Sequence, residues 1–122
     1  AEKQKIDNLS EKKCELAANK AMRAPTIVIV IACIKDHPRI PRIEQIISAG
    51  AAAQNMLTAA YAQGIGAVWR TGDLAYDSKF SAELGLTMSE AIVGFLYLGT
   101  ASPGCEAKAP KMNTEDYFQS WP

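Results

Sequence analysis

The stretch from Trp69 to Gly72 combines residue types that commonly contact ligands: a large aromatic ring, a fixed cation, a hydroxyl group and a glycine. It ends a short apolar run that predicts a β-strand, so Trp69 and Thr71 would face one side of the sheet and Arg70 the other. Because strand ends and the loops after them are favoured ligand positions, the stretch predicts a binding site. The competing interpretation is a core tryptophan beside an arginine in a structural ion pair, and the residues alone do not separate the two.

The other residue types that can do chemistry favour structural roles. The single histidine, His37, lies in a Lys-Asp-His-Pro turn, where we expect it at the surface rather than as a base or a metal ligand. The three cysteines are far apart and form no C-x-x-C pair, which disfavours a zinc site or a redox dithiol. Residues 64–66, Gly-Ile-Gly, follow a predicted helix and precede a predicted strand, the reverse of the order in a dinucleotide-binding fingerprint. We therefore assign no catalytic residue and no metal ligand.

Composition limits the classes of protein that this chain can belong to. Its 122 residues predict one domain, spanning residues 1–122, and 48% hydrophobic against 21% charged residues argues against disorder. Thirteen basic and thirteen acidic residues give zero net charge, which disfavours a nucleic-acid-binding domain. The longest apolar run, residues 26–34, is too short for a membrane span, and the polar N-terminus and free thiols predict a cytoplasmic location.

Two strands and a long helix must position the Trp69–Gly72 stretch. Residues 26–34 form a continuous β-branched run, typical of a strand buried on both faces and central in a sheet, and residues 91–99 predict a second buried strand. Between them, the pattern from Ile43 to Gln63 predicts a helix about 30 Å long. Gly64 is expected to end that helix in a left-handed cap. Shorter helices are expected over residues 9–22 and 76–84.

The long helix is apolar nearly all round, with the small residues Gly50 and Ala53 in the middle of one seam. A helix without a polar face is a buried one, and small residues let another backbone approach closely. It is therefore either the central helix of this domain or a contact with a second subunit. The C-terminal tail carries three aromatic residues, Tyr117, Phe118 and Trp121. Aromatic side chains are usually buried against other protein surface, so we expect the tail to pack, and a partner subunit is one candidate surface.

Four segments, in this order, resemble the C-terminal part of the small FMN-dependent NAD(P)H nitroreductases. The resemblance runs from about Leu9 to Thr100 and continues more loosely through the aromatic tail. Its segments are Arg23-Ala24-Pro25 before the Ile/Val strand, Pro41-Arg42-Ile43-Glu44-Gln45 before the Ala-rich helix, residues 60–72 ending in Trp-Arg-Thr-Gly, and residues 93–100, Val-Gly-Phe-Leu-Tyr-Leu-Gly-Thr.

The resemblance implies an α+β fold, a three-layer sandwich around a central sheet, built as an intertwined homodimer with FMN at the subunit interface. It also implies an enzyme that passes electrons from NAD(P)H through the flavin to nitroaromatic or quinone acceptors by a ping-pong mechanism. The flavin would carry the hydride chemistry, in keeping with a chain that has no catalytic residue of its own. By the family pattern the FMN-binding residues are Trp69, Arg70 and Thr71, and the NAD(P)-binding residues are Ala59, Ala60, Tyr61, Ala62, Gln63 and Gly64.

Two features of the family have no counterpart in this sequence. Members of the family begin with an Arg-Arg-Ser segment that helps to hold the FMN phosphate and later have a segment that contacts the flavin ring, and neither segment is present here. The alternative expectation is therefore a non-catalytic dimerisation domain or a flavin-binding remnant that lacks the N-terminal part of the FMN site. Neither the acceptor nor a preference for NADH or NADPH follows from the residues.

Overall fold

The centre of the fold is a three-stranded antiparallel sheet, seen in a computed structural model that describes residues 19, 22–104 and 110–121. The strands are β1 (Thr26–Cys33), β2 (Gly66–Arg70) and β3 (Glu90–Gly99), and their order across the sheet is β1-β3-β2. All three strands predicted from the sequence are confirmed. Among the described strands, however, β3 is the central one and β1 lies at an edge, so the expected central position of β1 is wrong for this sheet.

The helix α1 (Arg42–Ala62) packs against the sheet and matches its predicted bounds to within one residue. It ends in a Schellman motif, in which the N–H of Gly64 donates to the carbonyl of Tyr61 at 3.0 Å and the N–H of Ile65 donates to that of Ala60 at 2.9 Å. Gly64 has a φ of 71°, a left-handed conformation that glycine adopts without a Cβ clash. The predicted left-handed cap is confirmed.

Only a narrow side of α1 is buried by its own chain. Ala53 is fully buried and Ala60 nearly so, whereas Ile43, Ile47 and Met56 are 59%, 63% and 41% exposed. The interpretation of α1 as a central helix buried on all sides is therefore wrong for the described chain. The apolar pattern is real, but much of it faces away from the sheet, so a contact with a second subunit stays the prediction for this surface.

The other side of the sheet is covered by a 3₁₀ turn at Asp73–Tyr76 and a short helix, α2 (Ser78–Glu83). The sequence predicts a single helix over residues 76–84, but the structure divides this region at Asp77. The Asp77 carboxylate accepts the N–H of Phe80 at 2.8 Å and so caps α2, which starts a new helix instead of extending the turn.

A β-bulge in β3 decides which side chains meet on that side of the sheet. The register shifts between Val30 and Ile31 of β1, and the residue skipped on β3 is Val93. Side chains normally alternate along a strand, but this extra residue lets Ile92 and Phe95 enter the same buried cluster. Phe95 and Ile92 are 6% and 8% exposed, so the core lies under the middle of β3.

The C-terminal segment, residues 110–121, contains one 3₁₀ turn at Thr114–Tyr117. Tyr117, Phe118 and Trp121 are 70%, 78% and 95% exposed, so these aromatics do not pack on the described part of the chain. Packing of the tail on a partner stays a prediction, and the helix expected over residues 9–22 lies largely outside the described residues. None of the described helices has the length and apolar character needed to cross a membrane.

Candidate functional site

A cleft with a volume of 740 Å³ runs along β2, from the end of the sheet where β1 and β2 begin and β3 ends to the turn after β2. This volume falls within the range of small-molecule sites, roughly 300–1,000 Å³. We call it the β-edge cleft. Its walls come from the turn before β1, from β2 and the turn after it, and from the end of β3, namely residues 23–25, 66–68, 70–72, 97 and 99–101.

The β-edge cleft is positively charged. Arg23 and Arg70 contribute its charged side chains, and no aspartate or glutamate is among its wall residues. Both arginines are exposed, and within the described part of the chain neither guanidinium is within 4.0 Å of a carboxylate. A guanidinium is a planar, permanently charged donor that matches phosphate or carboxylate oxygens in pairs. The cleft is therefore suited to an anionic ligand.

The rest of the wall is a mixture of apolar surface, hydroxyl groups and exposed backbone. Thr71 and Thr100 are exposed, and Tyr97 is half-buried on the central strand. Gly72 has a φ of 92°, and nothing lies within 4 Å of the position that a Cβ would take there. A ligand can therefore approach the backbone at Gly72 closely, which a larger residue would prevent.

The structure brings two of the three predicted FMN-binding residues into this cleft. Arg70 and Thr71 both lie on its wall, at the end of β2 and in the turn that follows. The predicted placement of Thr71 on the side of Trp69 is wrong, because β2 ends at Arg70 and strand alternation does not extend to Thr71. The ion pair that the competing interpretation requires for Arg70 is not found among the described residues. Contact of Arg70 and Thr71 with a flavin stays a prediction.

Trp69, the third of these residues, points away from the cleft. Its Cη2 atom lies 3.6 Å from the position a Cβ would take on Gly50 of α1, and its indole ring lies directly over Gly94 of β3. The indole Nε1 is buried and has no hydrogen-bond partner within the described chain. Trp69 is thus a half-buried tryptophan packed against α1 and β3, close to the competing interpretation, while its neighbour Arg70 lies in the cleft.

The predicted NAD(P)-binding residues, Ala59 to Gly64, form the last turn of α1 and its cap. They precede Gly66, a wall residue of the β-edge cleft, by only a few positions along the chain, but none of them lines the cleft. Within this stretch Tyr61 is 86% exposed and Ala60 is buried. Their role toward a nicotinamide cofactor stays a prediction.

Sequence reasoning did not find Arg23, Tyr97 and Thr100 as site residues. They reach the cleft because β3 pairs with both other strands and runs opposite to them, which brings its end together with the starts of β1 and β2. The three strands could be predicted from the sequence. Their order could not, because no local sequence pattern indicates which strand lies in the middle of the sheet.

Two polar clusters far from the cleft have structural roles. The Glu90 carboxylate accepts the backbone N–H of Thr87 at 2.8 Å, the hydroxyl of Thr87 at 2.9 Å and the Cys33 thiol at 3.6 Å. The bond from the Thr87 backbone, followed by that from its hydroxyl, holds the pKa of Glu90 below the ordinary value. These bonds tie the turn before β3 to the end of β1.

The second cluster organises the loop between β1 and α1. His37 is exposed, as expected, and its Nδ1 accepts the N–H groups of Arg39 and Ile40 at 3.2 and 3.1 Å. Gln45 of α1 accepts the N–H of Lys35 at 2.9 Å and donates to its carbonyl at 2.9 Å. The histidine therefore closes a turn, as an Asx residue does, and shows no catalytic partner among the described residues.

Comparison with known proteins connects this fold to one family. A sequence model described as the Nitroreductase family matches residues 1–100. The chain is 42% identical over 90 residues, 74% of its own length, to an Escherichia coli (strain K12) protein named "Putative NAD(P)H nitroreductase YdjA". It is 30% identical over 111 residues, 90% of its length, to a protein of the same description from Haemophilus influenzae.

The structural comparison agrees with the sequence comparison. The fold matches the crystal structure of a nitroreductase-like family protein from Bacillus cereus with a TM-score of 0.77 and 26% identity, covering 93% of this chain and 60% of that one. The chain spans 49% of the length of the E. coli relative and 60% of that of the H. influenzae relative.

Proposed function

This chain belongs to the nitroreductase family, and from that premise we propose that it forms part of an FMN-dependent NAD(P)H oxidoreductase. The proposed acceptors are nitroaromatic or quinone compounds, with the donor and the acceptor taking turns at one site. The observation that carries the proposal is the β-edge cleft, whose wall holds Arg23, Arg70 and the open backbone of Gly72, with no ion pair to either arginine among the described residues.

The residues of the β-edge cleft suit FMN, which has a flat ring system, a polar chain and a phosphate. Arg70 and Thr71 would hold it beside Gly72, because a guanidinium and a hydroxyl can donate hydrogen bonds to the polar atoms of the ring and chain. The open space over Gly72 allows a flat ring to approach the backbone there. When bound, FMN supplies the hydride chemistry, so the chain needs no acid–base pair of its own.

The work left to the chain is binding and orientation. The indole of Trp69 lies between Gly50 of α1 and Gly94 of β3, which fixes the edge strand β2 against the rest of the sheet. Arg70 and Thr71 follow directly from that fixed residue. Trp69 would therefore act on the cofactor through the position of β2, as a positioning residue.

We also propose that the functional unit is a homodimer that uses the exposed side of α1. Ile43 and Ile47 are one helical turn apart, lie on the same side of α1 and are mostly exposed. The aromatic tail residues Phe118 and Trp121 are exposed as well. Single apolar residues on a surface need no explanation, but neighbouring ones on one side of a helix are typical of an interface. Sedimentation analysis of the purified chain would test this: a dimer is expected, and a monomer at micromolar concentration would contradict it.

Flavin binding by the purified chain tests the function itself. After incubation with FMN and desalting, the chain should keep a visible flavin absorption band, and NADPH added without air should bleach it. Arg70→Ala should retain less flavin than the unmodified chain, with Arg39→Ala as the matched control because Arg39 is an exposed arginine outside the cleft. A dimer that retains no flavin would favour the alternative of a non-catalytic dimerisation domain.

A further inference from the structure

We propose that Arg23 is a second ligand-binding cation of the β-edge cleft and that it binds a phosphate group of the nucleotide held there. The proposal deepens the proposed function and rests on it for the class of ligand. The family resemblance gives Arg23 no role, and its place in the sequence, three residues before a strand, gives no reason to single it out.

The first step of the argument is the position of Arg23 relative to Arg70. The two arginines come from opposite edges of the sheet, since one precedes β1, the other lies on β2, and β3 runs between them. Arg70 pairs with Phe95, and the wall of the cleft continues along β3 to Gly99 and beyond. Four residues of strand span about 13 Å. The cleft therefore has room for an elongated ligand with a cation near each end.

The second step is the charge balance of Arg23. It is exposed and lines the cleft, and no carboxylate among the described residues is within 4.0 Å of its guanidinium. No aspartate or glutamate is among the wall residues that the structure describes. Phosphate is the group of a flavin or nicotinamide nucleotide that matches a guanidinium in charge and in paired hydrogen bonding.

The third step is what lies between the two arginines. The wall from Tyr97 to Thr100 carries a phenol, a glycine and a hydroxyl but no charge. A ligand whose polar chain crosses this neutral part of the wall would place its ring near Gly72 and its phosphate near Arg23. The phosphate could belong to the flavin nucleotide or to the dinucleotide donor, and the experiment separates these two sources.

The test compares ligands that differ only in a phosphate. FMN differs from riboflavin by its phosphate, and NADPH differs from NADH by its 2′-phosphate. Dissociation constants of all four are measured for the unmodified chain, for Arg23→Ala, and for Arg39→Ala as a control that removes the same charge outside the cleft. We define the advantage of FMN as the dissociation constant of riboflavin divided by that of FMN. In Arg23→Ala we expect this ratio to fall at least about tenfold, because charge-assisted hydrogen bonds to the phosphate are lost.

Two further outcomes decide the source of the phosphate and the fate of the proposal. If the advantage of NADPH over NADH falls instead, Arg23 binds the phosphate of the donor, and the proposal stands with that source. If neither advantage changes while riboflavin and FMN still bind, the role of Arg23 is refuted and the proposed function survives. Arg23→Lys should recover part of the loss, because it restores the charge but not the paired geometry.

A measurement without any flavin separates failure of this proposal from failure of the proposed function. Pyrophosphate is titrated calorimetrically into the unmodified chain and into Arg23→Ala. Binding that weakens at least about tenfold in the variant supports the phosphate site even if the chain retains no flavin. Equal binding by both chains, or no binding by either, refutes it.

Discussion

Replacing Gly94 by alanine should damage both the stability of the sheet and the β-edge cleft. A Cβ on Gly94 would overlap Nε1 of Trp69, would lie 2.7 Å from Cδ1 of the same ring, and would lie 3.0 Å from the carbonyl oxygen of Arg70. The other end of the ring faces the backbone of α1 at Gly50, with Cη2 3.6 Å from the position that a Cβ would take there, so α1 limits how far the ring can move. The added methyl group must therefore displace the indole or push β2 away from β3.

The expected cost follows from this overlap. Overpacking a well-packed interior by one methyl group costs about 1–3 kcal/mol, and the close contact with Trp69 places Gly94→Ala at the upper end. For a domain of this size that lowers Tm by roughly 10 °C. Because β2 carries Arg70, flavin retention should fall along with stability. Thermal unfolding is followed by far-UV circular dichroism, and the position of the indole by tryptophan emission.

Gly50→Ala is the matched control, since it adds the same methyl group on the opposite side of the same ring. Its Cβ would lie 3.6 Å from Trp69 and 4.0 Å from Val93, which are ordinary contacts, and alanine favours a helix over glycine by about 1 kcal/mol. Gly50→Ala should therefore be neutral or stabilising. A Gly94→Ala chain as stable as the unmodified one, or a Gly50→Ala chain that is equally destabilised, would refute the placement of Trp69 between the two glycines.

Three smaller predictions concern a cap, a turn and a pH dependence. Gly64→Ala should lower the free energy of unfolding, measured by urea denaturation, by about 1 kcal/mol, because a φ of 71° is unfavourable for a residue with a Cβ. Gln63→Ala, at the neighbouring position, should lower it by less. His37→Asn should keep the N–H groups of residues 39 and 40 protected from hydrogen exchange, because its side-chain oxygen replaces Nδ1 as acceptor, whereas His37→Ala should expose them; equal protection in both variants would contradict that role. The lowered pKa of Glu90 means that its contribution to stability is present above the ordinary value of 4.5 and is lost as the pH falls through the folded-state pKa. Glu90→Gln should remove this part of the acid dependence in denaturation curves measured across pH, and an unchanged dependence would contradict it.

Local features of the fold could be predicted because they depend on neighbours along the chain. Gly64 follows the last turn of an apolar periodic run, and glycine is the residue that most often forms a left-handed cap at a helix end. The β-branched run of β1 and the apolar run of β3 likewise predict strands from local composition alone. The start of a new helix at Asp77 could not be predicted with the same ease, because an aspartate can either cap a helix or lie on its exposed surface.

Features that depend on distant parts of the chain could not be predicted. The strand order places β3 in the middle, and this order makes Arg23 and Arg70 walls of one cleft. Alternation along β2 correctly predicted that Trp69 and Arg70 face opposite sides, but not which side α1 would cover. The burial of α1 depends on what packs against it, and the apolar pattern alone does not distinguish its own sheet from a second chain.

The visible absorption spectrum of the purified chain, taken after incubation with excess FMN and desalting, tests the central claim most directly. The account predicts a retained flavin band, weaker in Arg70→Ala and unchanged in Arg39→Ala, because the first variant removes a charge from the β-edge cleft and the second removes one elsewhere. A folded chain that remains colourless, or a flavin band equally strong in all three proteins, would contradict the assignment of this cleft as the flavin site.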